Sequence, residues 1–157
     1  MAAANGDLEI MSLLLDFGAQ LEKRTYMGET PLHIEVKNGQ IDAVQLLLSN
    51  ESDVEAKTSQ GRTVLQMAIS GLHYDAARIL IEAGANVNSE DGNGWNALFY
   101  AAELGNINFI EFLLQKGADG KMALNIALEN GHNEAADVIS EHTIINGSRR
   151  EDLSMMH

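Results

Sequence analysis

Residues 30–39 read Thr30-Pro31-Leu32-His33-Ile34-Glu35-Val36-Lys37-Asn38-Gly39, and this stretch carries both ends of one short helix. Thr30 supplies a hydroxyl where the first helical N–H groups lack a partner. Pro31 follows at a position where the missing N–H would be unpaired anyway. Asn38-Gly39 closes the segment, because glycine takes the left-handed turn that ends a helix. A second helix is predicted from about Ile41 to Ser49, where Ile41, Val44, Leu47 and Leu48 share one face. Helix pairs this short cannot bury their apolar faces alone; stacked neighbours must do it.

Those neighbours are present in the sequence. Gly28, Gly61 and Gly94 stand 33 residues apart, as do Leu32, Leu65 and Leu98, and Leu47, Leu80 and Leu113. Val54 and Val87 obey the same shift. The phrase Gly84-Ala85-Asn86 returns as Gly117-Ala118-Asp119, with a relative at Gly18-Ala19-Gln20. Several positions obeying one period define a repeat array.

Composition narrows the functional classes. The 157 residues suffice for one domain. Hydrophobic residues make up 45 % and aromatics 5 %, so the core must be built from Leu, Ile, Val and Ala. A balance of 10 Lys and Arg against 23 Asp and Glu gives a formal charge of −13. That speaks against binding to nucleic-acid phosphates, which needs clustered cations, and against adhesion to anionic membranes. The absence of cysteine excludes disulfides, thiolate metal sites and cysteine nucleophiles. No apolar run is long enough to insert into a membrane, and Met1-Ala2-Ala3-Ala4-Asn5-Gly6 lacks the features of a secretory signal. An intracellular protein is expected, cytoplasmic or nuclear, in which the sequons at Asn50 and Asn146 read as chance.

Thr30-Pro31-Leu32-His33, Gly84-Ala85-Asn86-Val87-Asn88 and the 33-residue period resemble ankyrin repeats, over roughly Ala2 to His142. The resemblance implies an all-α ankyrin-repeat solenoid of stacked helix-turn-helix units with short β-hairpin fingers. About five units are expected, near residues 2–24, 25–57, 58–90, 91–119 and 120–142, with 143–157 a C-terminal tail or linker. The first unit begins inside its first helix, which reads as a cut from a longer array; a degenerate natural cap is the alternative. Other departures stand out. Leu72 replaces the inter-helix glycine, Glu51 the glycine that ends a second helix, and Glu35 a small alanine. Leu98 to Leu124 spans 26 positions instead of 33, so the last connection is shortened.

Catalytic and cofactor chemistry finds little support. Gly92-Asn93-Gly94-Trp95-Asn96-Ala97 mimics a dinucleotide fingerprint, but the required preceding strand is missing. His33, His73, His132, His142 and His157 form no metal-ligand spacing, and the acidic stretch Asn86–Asn93 fails the calcium-loop pattern. An enzyme, a cofactor, a metal and a small-molecule substrate are not expected.

In ankyrin repeats the finger tips and first helices form a concave groove that binds proteins. Carried onto this chain, the resemblance implies a partner-binding set of Tyr26, Met27, Glu29, Lys37, Gln60, Arg62, Asn93, Trp95 and Glu103. Arg24, Lys57, Ser59, Ser70, Glu90 and Leu104 complete the groove-facing positions; Leu104 reads as helix-end packing. Tyr26 and Trp95 are open between binding hot spots and packing. Arg24, Lys37, Lys57 and Arg62 make the early groove basic, whereas Glu82, Glu90, Asp91, Glu103 and Glu111 make it acidic toward the C-terminal side. A protein or peptide partner with a basic segment is expected there. The resemblance also marks Asn88 as a candidate for hydroxylation, against a purely structural role between units. The functional expectation is a non-catalytic protein–protein interaction module, adaptor or regulatory, within a larger protein. The alternative is a stand-alone inhibitor docking on an enzyme such as a kinase.

Overall fold

A computed structural model describes residues 8–154, with side chains from Leu8 to Ile144. The opening of the first expected unit, before Leu8, lies outside the described residues. After α1 (Leu8–Asp16) come four helix pairs: α2 (Pro31–Lys37) with α3 (Ile41–Ser49), α4 (Val64–Ser70) with α5 (Tyr74–Glu82), α6 (Ala97–Glu103) with α7 (Ile107–Gln115), and α8 (Lys121–Glu129) with α9 (Asn133–Ser154). The first helices pack in one row, α2 on α4 on α6 on α8. A second row contains α1 on α3 on α5, then α7 on α9. Helix α9 continues through the residues read as a tail, as far as Ser154.

The period appears as one core. Leu32, Leu65 and Leu98 on the first helices, and Leu47, Leu80 and Leu113 on the second, are all at most 2 % exposed. The expected β-hairpin fingers are corrected: among the described residues there is no strand, only the isolated bridge between Lys57 and Thr63. Each finger turns too tightly for a ladder. Thr25 N–H donates to Glu29 O at 2.9 Å, Thr58 N–H to Arg62 O at 2.9 Å and Asp91 N–H to Trp95 O at 3.0 Å, and each finger closes on that bond.

The shortened last connection enters α8 directly from Asp119-Gly120. A Cβ on Gly120 would lie 3.0 Å from the Ile139 methyl Cγ2, so glycine lets α9 approach closely. Asn88 binds this connection from the preceding unit. Its amide Nδ2 donates to Gly117 O at 3.1 Å, and its Oδ1 accepts from Asp119 N–H at 2.8 Å.

Where first helices meet, Ala68, Ala101 and Ala127 are fully buried, and Glu35 occupies the corresponding place in α2. It is equally buried, and neither carboxylate oxygen has a hydrogen-bond partner. Burial pushes its pKa up to about 7. The folded chain therefore holds this proton more tightly than the unfolded one. The resulting stabilisation is complete below the ordinary value of 4.5 and is lost as pH rises through about 7. Glu35→Ala is expected to raise the melting temperature by several degrees in mildly alkaline buffer, and by much less in mildly acidic buffer. Thermal melts of both proteins across that range measure the difference.

Candidate functional site

The groove is positioned by the starts of the first helices. Thr63 and Gln66 cap α4 reciprocally: Gln66 N–H donates to Thr63 Oγ1 at 3.2 Å, and Thr63 N–H to Gln66 Oε1 at 2.8 Å. The other end of the Gln66 amide crosses to the next unit. Its Nε2 donates to Ser89 O at 2.9 Å and to Trp95 O at 2.8 Å, holding both sides of the next finger. His33 caps α2 in the corresponding way, with Nδ1 accepting from Thr30 N–H at 3.2 Å. Burial lowers its pKa, which favours the neutral ring that this acceptor role requires.

Successive fingers are also tied at their tips. Ser59 N–H donates to Met27 O, and Gly92 N–H to Gln60 O, each at 3.0 Å. Gly61 adopts φ +77°, and a Cβ there would stand 2.7 Å from Gly92 N. Only glycine permits that approach. Arg24 donates to Lys57 O at 2.5 Å, and Lys57 Nζ donates to Glu90 O at 2.8 Å. These two exposed cations, expected to make the early groove basic, also act as tethers between fingers.

A cleft of about 850 Å³ opens between the third and fourth units, lined by Gln60, Arg62, Asn93, Trp95, Tyr100 and Glu103. Gln60, Arg62, Asn93, Trp95 and Glu103 from the sequence-derived set thus come together. Tyr26, Met27, Glu29 and Lys37 do not line this cleft; they belong to the preceding unit. Tyr26 is 99 % exposed and Met27 51 % exposed, whereas Lys37 pairs with Glu29 at 3.2 Å. Leu104, expected to pack, is 43 % exposed at the end of α6.

Tyr100, central to the cleft, escapes sequence reading, and Asp91, expected there only as part of the acidic side of the groove, has a structural role. Asp91 is buried, and its Oδ2 accepts from the Tyr100 hydroxyl at 2.5 Å. Its Oδ1 accepts from Asn93 N–H at 2.8 Å and Trp95 N–H at 3.1 Å, which fixes the finger. Burial alone would raise its pKa, but these hydrogen bonds and the nearby Arg62 charge outweigh it and hold the group ionised. Burial and the Asp91 hydrogen bond hold the Tyr100 phenol protonated. Arg62 lies 4.8 Å from the centre of the Tyr100 ring, and its Nη2 donates to Ser70 Oγ at 2.5 Å. The acidic residue and the helix-borne tyrosine are nine positions apart, and only the fold brings them into contact.

The result is a cleft with a fixed floor and exposed polar edges. Among the described residues no group of His, Asp or Glu is placed to hold a metal, and no helix is long and apolar enough to cross a membrane. The Trp95 ring is half-buried and stacks on Phe99, with centroids 4.4 Å apart and planes 10° apart. It thereby serves packing whatever it contributes to binding. Trp95→Ala is expected to destabilise the chain by about 2 kcal/mol, below the cost at a fully buried site. Denaturant unfolding of Trp95→Ala beside Trp95→Phe tests this, with the ring-retaining variant close to wild type.

A search of curated proteins finds no match to the chain. The family model for ankyrin repeats (3 copies) matches residues 1–91, 36–122 and 84–150. With the matched residues spanning nearly the whole sequence, and helix pairs stacked at the 33-residue period, the chain belongs to the ankyrin-repeat family.

Proposed function

We propose that this chain is a non-catalytic binding module that takes a protein or peptide segment along its groove, in an adaptor or regulatory role within a larger protein. Ankyrin repeats are in general protein–protein interaction modules, and the proposal concerns where and how this one binds. The observation that carries it is the cleft between the third and fourth units. It joins two finger tips to the end of a first helix, and exposed Gln60, Asn93 and Glu103 surround its half-buried Trp95 and Arg62.

The electrostatics favour a partner with a basic segment. Arg24 and Lys57 keep their charge but are oriented by backbone carbonyls of the following fingers, and Arg62 at the cleft is offset by the ionised Asp91. Glu90 and Glu103 are exposed, and neither side chain forms an ion pair among the described residues. A cationic segment would be attracted toward this end of the groove, most strongly at low salt.

Glu103 offers a clean test because the stack uses its backbone and not its carboxylate. Its carbonyl accepts from Asn130 Nδ2 at 3.3 Å and contacts His132 Nε2 at 3.1 Å. Glu103→Lys is therefore expected to leave the melting temperature unchanged while weakening native-partner binding roughly tenfold at low salt. Quantitative capture from the native cell, repeated at rising salt, reads the effect. Undiminished capture by the variant would contradict the proposed site.

A further inference from the structure

The turns between paired helices follow one rule that is broken once. Gly39, Gly105 and Gly131 take φ +66°, +63° and +74°. At two of them a ring from the next unit occupies the space above the glycine. A Cβ on Gly39 would lie 3.0 Å from the His73 ring, and one on Gly105 would lie 2.6 Å from the His132 ring. Both rings also reach back to the preceding unit, His73 Nε2 to Lys37 O at 3.2 Å and His132 Nε2 to Glu103 O at 3.1 Å.

Between the third and fourth units both members of this pair are changed. Leu72 stands in the glycine position at φ +60°, and Asn106 stands where the histidine would be. Asn106 turns to its own helix, with Oδ1 accepting from Phe109 N–H at 3.1 Å. A pocket of about 360 Å³ opens there, lined by Leu72, Tyr74, Asn106, Phe109, Glu111 and Phe112 among others. It shares no residue with the groove cleft. Tyr74 lies 5.3 Å from the ring centres of both Phe109, which is buried, and Phe112, so Leu72, Tyr74 and Phe112 form the apolar part of a lining that is otherwise polar.

Leu72 is costly in two ways. A left-handed backbone is strained for a side chain branched beyond Cβ, and packing does not offset it, because Leu72 is 56 % exposed. Tyr74 beside it is 43 % exposed. Strained backbone combined with uncovered apolar surface is expected where a partner completes the packing. We propose that this pocket is a second docking site, taking an apolar side chain from a partner protein segment that carries Lys or Arg beside it.

Charge complementarity selects that occupant. Glu111 lines the pocket, Asp75 follows Tyr74 in α5, and neither forms an ion pair among the described residues. Of the nearby cations, Arg78 pairs with Glu82 at 2.9 Å, and the charge of Lys116, 5.8 Å from the centre of the Phe112 ring, offsets only one of the two carboxylates. A second copy of this acidic chain would bring like charge to the same rim, which disfavours it.

The test uses synthetic peptides with one central Leu, Met, Phe or Trp flanked by lysines, and matched peptides flanked by glutamates. Each is titrated into the isotope-labelled full chain and followed by NMR. At least one lysine-flanked peptide should move the amide signals of Leu72, Tyr74, Glu111 and Phe112, and its glutamate counterpart should not. Leu72→Gly should weaken that peptide roughly tenfold, with the melting temperature unchanged or raised. The proposal is overturned if no lysine-flanked peptide moves these signals, or if shifts centre on Gln60 and Trp95 instead. It is equally overturned if the pocket signals move with protein concentration alone, which makes a second copy the occupant. A lowered melting temperature with unchanged affinity in Leu72→Gly would reduce Leu72 to a packing residue.

Discussion

The buried side-chain amide of Gln66 bonds within its own helix start and across to the next unit. Its oxygen completes the cap of α4, and its nitrogen donates to the carbonyls of Ser89 and Trp95 on either side of the next finger. A donor or acceptor left unpaired at such a site costs about 1–3 kcal/mol, so the bonds define one separation between units. The groove depends on that separation, because finger tips set by mobile contacts would present no fixed surface. His33 occupies the corresponding position one unit earlier and keeps the cap. Phe99 occupies it one unit later and has no side-chain polar group to cross the junction. Its ring stacks on Trp95 instead, and the connection that follows has no finger to hold. Asn88 and Asn96 bind that short connection directly, Asn96 through Nδ2 to Asp119 O at 3.2 Å.

This polar framework also explains where charge is available. A chain with a formal charge of −13 spends several of its few cations on internal tasks. Arg24 and Lys57 bind carbonyls of the following fingers, each to a residue 33 positions ahead, and Arg62 covers Tyr100. Exposed near the cleft are the Glu90 and Glu103 carboxylates, the Gln60 and Asn93 amides and the still-charged Lys57. The ionised Asp91 beneath is buried and accepts hydrogen bonds from Tyr100, Asn93 and Trp95, so its charge serves to shape the finger.

Much of the fold was legible because the repeat is written in short-range signals. Thr30-Pro31 and Asn38-Gly39 bound a helix by their own backbone chemistry, and α2 runs from Pro31 to Lys37 with Asn38 as its cap. The leucines at the 33-residue period fall in the core for the same reason, since each faces an equivalent neighbour. The fingers were less legible. Gly28 and Gly61 mark their turns, but whether two extended arms pair depends on how early the next helix begins. The site was legible only in part. Position within the resembled repeat brought Gln60, Arg62, Asn93, Trp95 and Glu103 to one cleft. It could not reveal that Tyr100 fixes Asp91, or that Arg24 and Lys57 act as tethers, because those facts depend on side-chain reach across units. Glu35 and Leu72 were visible as departures, yet their consequences, an unpartnered buried carboxylate and a strained exposed leucine, required the packed neighbours.

If partner contact runs along the groove between the third and fourth units, site-specific photo-crosslinking in the native cell will register it there. A photoreactive side chain is placed singly at exposed Gln60 or Asn93, and at exposed Gln45 on a second helix as a control. Both groove positions should then give an adduct with the same protein, and Gln45 should give none. An adduct at Gln45 with none from Gln60 or Asn93 would place the contact elsewhere.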